Sequence, residues 1–583
     1  MQVKPIFLCD YSFVFLNLVK KSFLRMKNKF TFKPVFFSSL KDYNFKTFSS
    51  DLGAGITVGI VALPLAMAFA IASGVSPQIG ITTAIIAAFL ISLFGGSKVQ
   101  IGGPTGAFVV IVYGVIANYG YQNLLICTMI AGVILFLMGL MHMGGVIKYI
   151  PRPVTIGFTN GIAILIFSTQ IKDFFGLEIE TMPVDFFPKI ISIFDNFTSL
   201  NWQTTLLALM SLGIIVFTPA RFKKIVPASI IALIIGTVVA FVFGLDVETI
   251  GSKFGGIPDS LPSFAFPKIS LDAIQPLIAP SLTIAILAAI ESLLSAVVAD
   301  GMIDDKHNSD QELMGQGIAN FVVPFFGGIP VTGAIARTAT NVKNGAKTPV
   351  SGIIHSITLL AILLVAAPLA KYIPLCTLAA VLFVVSFNMI DWAEFKLMPR
   401  MPRSDSIVFM TTFILTIVFD LTIAVEVGMI LAAMLFIKRV SDSTDISRST
   451  SEFASIQNNI DMKDVPEQVL VFRIFGVLMF GAVDKLENIL SQINVAPKVV
   501  ILRMRSVMAM DATALNVLMR LQSKIKKRGA ILIITAAHDQ PLKMLRKSGF
   551  IKTLGEENMC EDIYQALERS RQILEDEKSC SKE

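Results

Sequence analysis

The sequence predicts a polytopic α-helical membrane protein with fourteen transmembrane helices arranged as a 7+7 inverted repeat, followed by a small cytoplasmic α/β domain. Three observations predict it. The 583 residues are 54% hydrophobic and only 16% charged, with a mean hydropathy of +0.71, outside the range of ordinary soluble proteins. Two long apolar blocks are each broken, at corresponding depths, by a stretch of Gly, Pro, Thr and Ala. After Arg439 the pattern changes to short apolar runs alternating with amphipathic segments, as strand–helix units do.

The net charge of +7 does not indicate a nucleic-acid partner. The basic residues fall mostly in short loops between apolar segments, which is the distribution that orients membrane proteins. Membrane lipid is the expected surrounding partner. The five cysteines (Cys9, Cys127, Cys376, Cys560, Cys580) are scattered without metal spacing, so neither a disulfide framework nor a zinc site is expected.

Residues 1–50 are basic and aromatic and are expected to form a cytoplasmic or interfacial arm. Ile6 to Val19 is too short to span and carries Asp10, no signal-peptide cleavage pattern follows, and Met26 is an alternative start. The membrane domain is expected over 51–437. Its spans in the first half are 51–73, 79–95, a half-helix 104–118, 122–143, 153–172, 204–219 and 226–244. In the second half they are 275–299, 314–326, a half-helix 332–343, 349–369, 374–390, 404–419 and 421–437. Loops after even-numbered spans hold Lys148 and Arg152, Arg221 to Lys224, Lys343 and Lys347, Lys396 to Arg403, and Lys438 with Arg439. Both termini are therefore expected inside, and the halves 51–245 and 275–437 have opposite orientation. Residues 438–465 read as a linker and 466–575 as the soluble domain. Its expected strands are Val469–Ile474, Val499–Met504 and Ala530–Thr535, and its expected helices are Ala482–Ile493, Asp511–Lys527, Gln540–Ser548 and Glu561–Glu577.

The two interruptions carry the functional argument. Gly327 to Val331 cannot continue a regular helix, because Pro330 lacks an N–H and the glycines are permissive. Irregular backbone at membrane depth must be buried in protein or line a cavity. Thr332 is expected to cap a half-helix there, with Gly333 and Ala334 in its first turn and Arg337 close behind. A half-helix N-terminus offers free N–H groups and partial positive charge to an anion. Gly102 to Ala107 has matching content, with Thr105 and Gly106 in the corresponding positions. Paired broken helices in two halves point to a transporter's substrate site.

Glu291 is the second signal. No other charge lies between Asp272 and Asp300, and a carboxylate at mid-membrane costs at least about 2.5 kcal/mol. Three roles are open: proton carrier, cation ligand together with Ser292 or Ser295, and ion-pair partner of Arg337. Thr338 is a further hydroxyl near the site. His142 and His355 read as packing residues with satisfied rings, and Asp420 and Glu426 as interfacial. No phosphate-binding glycine loop and no nucleophile–base set is present. Neither an enzyme nor a resident cofactor or metal is expected, and the only ion required is the coupling one, H+ or Na+.

On these residues the chain resembles the SulP family of anion transporters (sulfate permease-like) with a C-terminal STAS domain. Asp51 to Pro64 looks like the family's first helix, and Gly333-Ala334-Ile335-Ala336-Arg337-Thr338-Ala339 followed by Asn341 looks like its tenth. The soluble tail resembles a STAS domain, with Asp511-Ala512-Thr513 before its second helix. The match spans about Asp51 to Gln572. The resemblance implies a core domain of spans one to four and eight to eleven, and a gate domain of the remaining spans. It also implies an anion held between the third and tenth half-helices, an elevator mechanism and a homodimer. Proton-coupled members carry a glutamate at the position of Glu291, and sodium-dependent bicarbonate members tend to carry aspartate. In related STAS regulators a Ser or Thr at the position of Thr513 is phosphorylated, although here Ala514 replaces the glycine often found next.

The expected function is secondary active transport of a small anion (sulfate, dicarboxylate or bicarbonate) across the inner or plasma membrane, by proton-coupled symport. The alternatives are a sodium-coupled bicarbonate symporter, an anion exchanger or channel, and a nucleobase:proton symporter of the same fold. A cytoplasmic regulator is expected at the STAS domain.

Overall fold

The computed structural model describes residues 32–41, 43–145, 151–180, 182–219, 227–256, 263–267, 271–419, 421–448, 465–480, 485 and 497–580. The chain divides into two compact units, Met1–Met429 and Ile430–Glu583.

In the first half of the first unit the helices are α1 (Val35–Ser39), α2 (Phe45–Ala72), α3 (Pro77–Phe94), α4 (Gly106–Tyr119), α5 (Tyr121–Leu140), α6 (Arg152–Phe175), α7 (Phe186–Asp195), α8 (Trp202–Phe217), α9 (Ala228–Val242) and α10 (Ile250–Phe254). The second half has α11 (Leu271–Ile303), α12 (Ser309–Val322), α13 (Ile335–Lys343), α14 (Val350–Ala370), α15 (Leu375–Met389), α16 (Trp392–Leu397), α17 (Arg403–Val418) and α18 (Leu421–Ser443), the last crossing the division between the units. Each expected span has a helical counterpart. Seven of the described helical segments are long and apolar enough to cross a membrane, and α4, α8 and α9 are shorter apolar helices.

The same order of elements opens both halves. A long helix, a second helix, a two-residue strand and a short helix run α2–α3–β1–α4 in one and α11–α12–β2–α13 in the other, where β1 is Gly102–Gly103 and β2 is Thr332–Gly333. The halves interlock. The α12 helix packs on α5, and α14 packs on α2 and α3. A second bundle gathers α6, α8, α9, α15 and α17. Small residues make the closest contacts: a Cβ on Gly55 would lie 2.5 Å from the Ser351 carbonyl oxygen, and one on Gly132 would lie 2.5 Å from the Phe321 nitrogen. Such small-residue faces let membrane helices approach where lipid supplies no hydrophobic drive.

The first helix starts earlier than expected, because Asn44 caps it by accepting from the Thr47 N–H. Part of the expected arm is also fastened to the bundle. Lys33 N donates to Gln311 Oε1 (2.8 Å), and Val35 N donates to the Gly95 carbonyl (3.2 Å). Residues 1–31 lie outside the described residues.

Two buried carboxylates pin loops to helices. Asp51 accepts from Lys347 N (2.7 Å), Thr348 N (3.2 Å), Thr348 Oγ1 (2.6 Å) and the Tyr43 hydroxyl (3.3 Å). Burial, together with the Asp51 charge, pushes the Tyr43 phenol up to about 12, so it stays protonated and donates. Glu312 accepts from Gly96 N (2.8 Å), Ser97 N (3.2 Å) and Gln316 Nε2 (2.9 Å). Asp51→Ala strands three donors of the loop before α14. We expect it to cost about 3 kcal/mol, seen as a fall of several degrees in the unfolding temperature of the detergent-solubilised protein. A transition within one degree of wild type contradicts that role.

The second unit is an α/β domain. Its sheet runs β3 (Asp445–Arg448), β4 (Val469–Leu478), β5 (Val499–Met510), β6 (Ile531–Thr535) and β7 (Met559–Cys560) in that spatial order. The β3 strand is antiparallel to its neighbour, and the other pairings are parallel. Helices α19 (Ala512–Lys527), α20 (Asp539–Lys547) and α21 (Phe550–Leu554) share one core with the sheet, and α22 (Ile563–Cys580) covers the other face. Part of the expected linker is therefore structured. The α18 helix continues to Ser443, and Asp445–Arg448 pairs with Phe472–Phe475, which satisfies an otherwise open edge. Lys485 Nζ donates to the carbonyls of Ser441 (2.9 Å), Asp442 (3.2 Å) and Thr444 (2.5 Å), placing a cation at the negative end of α18. The rest of the expected helix Ala482–Ile493 lies outside the described residues.

Candidate functional site

The two broken segments meet. Gly102 pairs with Gly333, and Gly103 with Thr332, in a two-residue antiparallel crossing. Ala334 N extends it by donating to the Ile101 carbonyl at 2.9 Å. Each strand has solved the problem of buried irregular backbone with the other. The crossing directs two short helices away from a common point, with Gly106 opening α4 and Ile335 opening α13. Neither start has a side-chain cap. The first-turn N–H groups have no carbonyl four residues back to bond, and both helix dipoles begin here. The α13 start is open, since Ile335 and Ala336 are exposed.

Arg337 sits in the first turn of α13 and is only 2% exposed. Its Nη2 donates to the Pro104 carbonyl at 2.5 Å, joining the two half-helix starts, while Nη1 has no partner. The side chain does not reach for a membrane surface. The position requires Gly103, whose φ is +153° and whose absent Cβ would lie 2.4 Å from Nη1. Any side chain at Gly103 displaces the guanidinium.

Glu291 projects from α11 to the same place. It is half-buried, and its Oε2 accepts from Thr105 Oγ1 at 2.9 Å, at the head of α4. The structure thus brings Thr105, Gly106, Ala334, Arg337 and Glu291 together. It does not pair Glu291 with Arg337, which bonds across the crossing instead, so the ion-pair expectation is corrected.

Thr332 is also corrected. It lies in β2 and does not cap α13, because the crossing fixes the chain in extended form through Gly333. Its buried hydroxyl donates to the Ala288 carbonyl at 2.9 Å and so is not turned toward a ligand. Ser295 donates to Thr338 Oγ1 (3.1 Å), which also accepts from Ile101 N (3.1 Å). Ser292 is fully buried with its hydroxyl unpartnered. His355 is fully buried, but neither ring nitrogen makes a hydrogen bond, against the expectation of a satisfied ring. His142 is not a packing residue: its ring is half exposed and meets Asp310 at 2.8 Å. In the second unit Thr513 is exposed in the first turn of α19, behind Asp511, whose side chain accepts from Ala514 N.

Sequence reasoning missed several residues that build this centre. Gln100 donates to the Ser292 carbonyl (3.2 Å). Asn341 donates to the Val99 carbonyl (2.9 Å) and to Ser351 Oγ (2.8 Å). A wall of Phe69, Ile166 and Met389 faces the head of α4: a Cβ on Gly106 would lie 3.1 Å from Ile166 Cδ1, 3.2 Å from Met389 Sδ and 3.3 Å from Phe69 Cε1. Ile166 and Met389 belong to the second bundle, so Gly106 is where the two bundles meet at the site. Gly106→Val forces this contact apart. Overpacking of about 1–3 kcal/mol predicts a loss of flux of tenfold or more in proteoliposomes, with an unchanged gel-filtration profile. Wild-type flux in that variant contradicts the close approach.

Comparison with known proteins gives a consistent result. Residues 48–412 match the model of the sulfate permease family, and residues 460–568 match that of the STAS domain. YvdB of Bacillus subtilis (strain 168), named for sulfate transport, is 45% identical over 90% of this chain and 98% of its own length. The bicarbonate transporter BicA of Picosynechococcus sp. is 32% identical over 75% of this chain and 80% of its own. The fold is similar to that of murine Slc26a9, an anion transporter solved in the inward-facing state, with a TM-score of 0.81 and 17% identity over 97% of this chain and 96% of that one.

Proposed function

The chain belongs to the sulfate permease family, and from that premise we propose that it carries a small oxyanion or carboxylate anion across the membrane in symport with protons. The anion docks between the first turns of α4 and α13, on their free N–H groups and on Arg337. One observation supports this reading above the others: the Glu291 carboxylate touches Thr105 at the head of α4, where the anion has to sit. A carboxylate and an anion at one helix N-terminus repel each other unless the carboxylate carries a proton. Protonation of Glu291 and anion docking therefore support each other, and that linkage is what symport needs. The apolar wall of Phe69, Ile166 and Met389 closes the site on one side. Sliding of the core bundle past the second bundle in an elevator motion exposes it alternately. A homodimer, cytoplasmic termini and a regulator acting on the STAS domain, through Thr513, belong to the same reading.

A second reading is sodium-coupled bicarbonate uptake. It draws on the unpartnered Ser292 hydroxyl beside Glu291 and on the similarity to a bicarbonate transporter. Uptake of labelled sulfate, fumarate and bicarbonate into proteoliposomes, under an inward proton or an inward sodium gradient, separates the two. Accumulation of one anion under the proton gradient supports the first reading, and accumulation only under sodium supports the second. Uptake that never exceeds electrochemical equilibrium contradicts both and leaves an exchanger or a channel.

A further inference from the structure

The sheet of the second unit carries a row of polar side chains that its core does not explain. In register, Ser447 of β3 pairs with Arg473 of β4, Arg473 with Arg503 of β5, and Arg503 with Thr535 of β6. Residues paired in this way stand on the same face of a sheet. That face is the one covered by α22. Val471, Ile501 and Ile533 lie two residues back along the three strands, and they share a core with Ile563 and Leu567 of the helix. The polar row is the next layer beyond that core.

Two features of this row are unfavourable as they stand. Arg473 and Arg503 are directly opposed on neighbouring strands, about 4.8 Å apart at the backbone, and like charges so placed repel. Both are partly buried. Burial first, and then the charges of Arg473 and Arg505, pull the Arg503 guanidinium below its usual range. No ion pair among the described residues engages Arg503. Asp562, just before α22, is engaged elsewhere: its Oδ1 accepts from Gln565 N at 2.9 Å and caps the helix. The second feature is Thr535, which is fully buried with its hydroxyl lacking any hydrogen-bond partner. Buried hydroxyls are nearly always bonded, and leaving one unbonded costs stability.

We infer that this row is a second anion site, one that binds a tetrahedral oxyanion, sulfate or a phosphate group, between the Arg473 and Arg503 guanidinium groups and the Thr535 hydroxyl. One ligand answers both unfavourable features. An anion between the two arginines turns their repulsion into two charge-assisted pairs, and its oxygens match the planar guanidinium fork two at a time. A further oxygen accepts from the Thr535 hydroxyl, which then has its missing partner. Chloride has no oxygens to present to a fork and gains less. The site is separate from the one between α4 and α13. It is also separate from Thr513, whose helix α19 packs on the other face of the sheet. It therefore does not depend on the transport reading.

The test is equilibrium dialysis of radiolabelled sulfate and inorganic phosphate against the purified full-length protein. Arg337→Gln serves as the background, because it removes the contribution of the transport site. In that background saturable sulfate or phosphate binding is expected to remain, with little competition from chloride at equal ionic strength. Adding Arg503→Gln is expected to weaken it about tenfold or more. Thr535→Val keeps the shape of the side chain and removes only the hydroxyl. It is expected to weaken binding about threefold, while the unfolding temperature holds or rises because an unsatisfied group is gone. That variant decides the matter even where the Arg503 variant fails to fold. Short-chain phosphatidate that displaces bound phosphate at far lower concentration than free phosphate does assigns the site to a lipid headgroup, and weaker displacement assigns it to the free anion; both support the site. Absence of saturable sulfate and phosphate binding in the Arg337→Gln background overturns the inference, and so does binding there that neither Arg503→Gln nor Thr535→Val changes.

Discussion

Arg337→Gln is expected to weaken anion binding by a hundredfold or more. The guanidinium is buried at the start of α13, contributes a full charge to two helix N-termini, and spends only one nitrogen on the Pro104 carbonyl. Charge-assisted hydrogen bonds to a desolvated anion contribute about 2–5 kcal/mol, so affinity is expected to fall by a hundredfold or more. Arg337→Lys retains the charge but cannot bond Pro104 and an anion through one planar fork, and an intermediate affinity is expected. Equilibrium binding of the transported anion to the purified variants measures both. Wild-type affinity in Arg337→Gln contradicts the assignment. The neighbouring Gly103→Ala is expected to resemble Arg337→Gln, because its methyl group occupies the space of Nη1.

Glu291→Gln has the second large effect, on coupling instead of binding. Glutamine cannot exchange a proton and retains a group able to bond Thr105. Binding is expected to persist and to lose much of its pH dependence. Accumulation under an inward proton gradient is expected to fall from many-fold to the equilibrium ratio, while exchange of internal for external anion continues. In wild type, affinity is expected to weaken as pH rises, because a deprotonated Glu291 would oppose the anion. If the variant still accumulates anion against its gradient, Glu291 is not the coupling residue.

The sequence makes one half of this site readable and conceals the other. Pro104 and Pro330, with their flanking glycines, stand out because helices in lipid cannot tolerate them without a reason. Glu291 stands out as a single charge in a long apolar run. The crossing of β1 with β2 is not readable, since it joins residues far apart in the chain through two pairs, too few to show any alternation. That crossing decides where the hydroxyls turn: Thr332 bonds the Ala288 carbonyl instead of capping α13, and Thr105 bonds Glu291. Gln100 and Asn341 look like ordinary loop and helix polar residues until their partners are known. The wall of Phe69, Ile166 and Met389 is invisible among many apolar residues of the same kinds. In the second unit the central strands are legible as continuous apolar runs. The edge strands β3 and β7 are short and polar or mixed, and depend on their neighbours to exist at all.

The measurement that bears most directly on the central claim is a structure determined with the transported anion at saturating concentration. The account predicts density in the gap between the first turns of α4 and α13, in contact with the N–H groups of Gly106, Ala107, Ile335 and Ala336 and with Arg337, and with Glu291 alongside. Anion density elsewhere, with that gap empty, contradicts it.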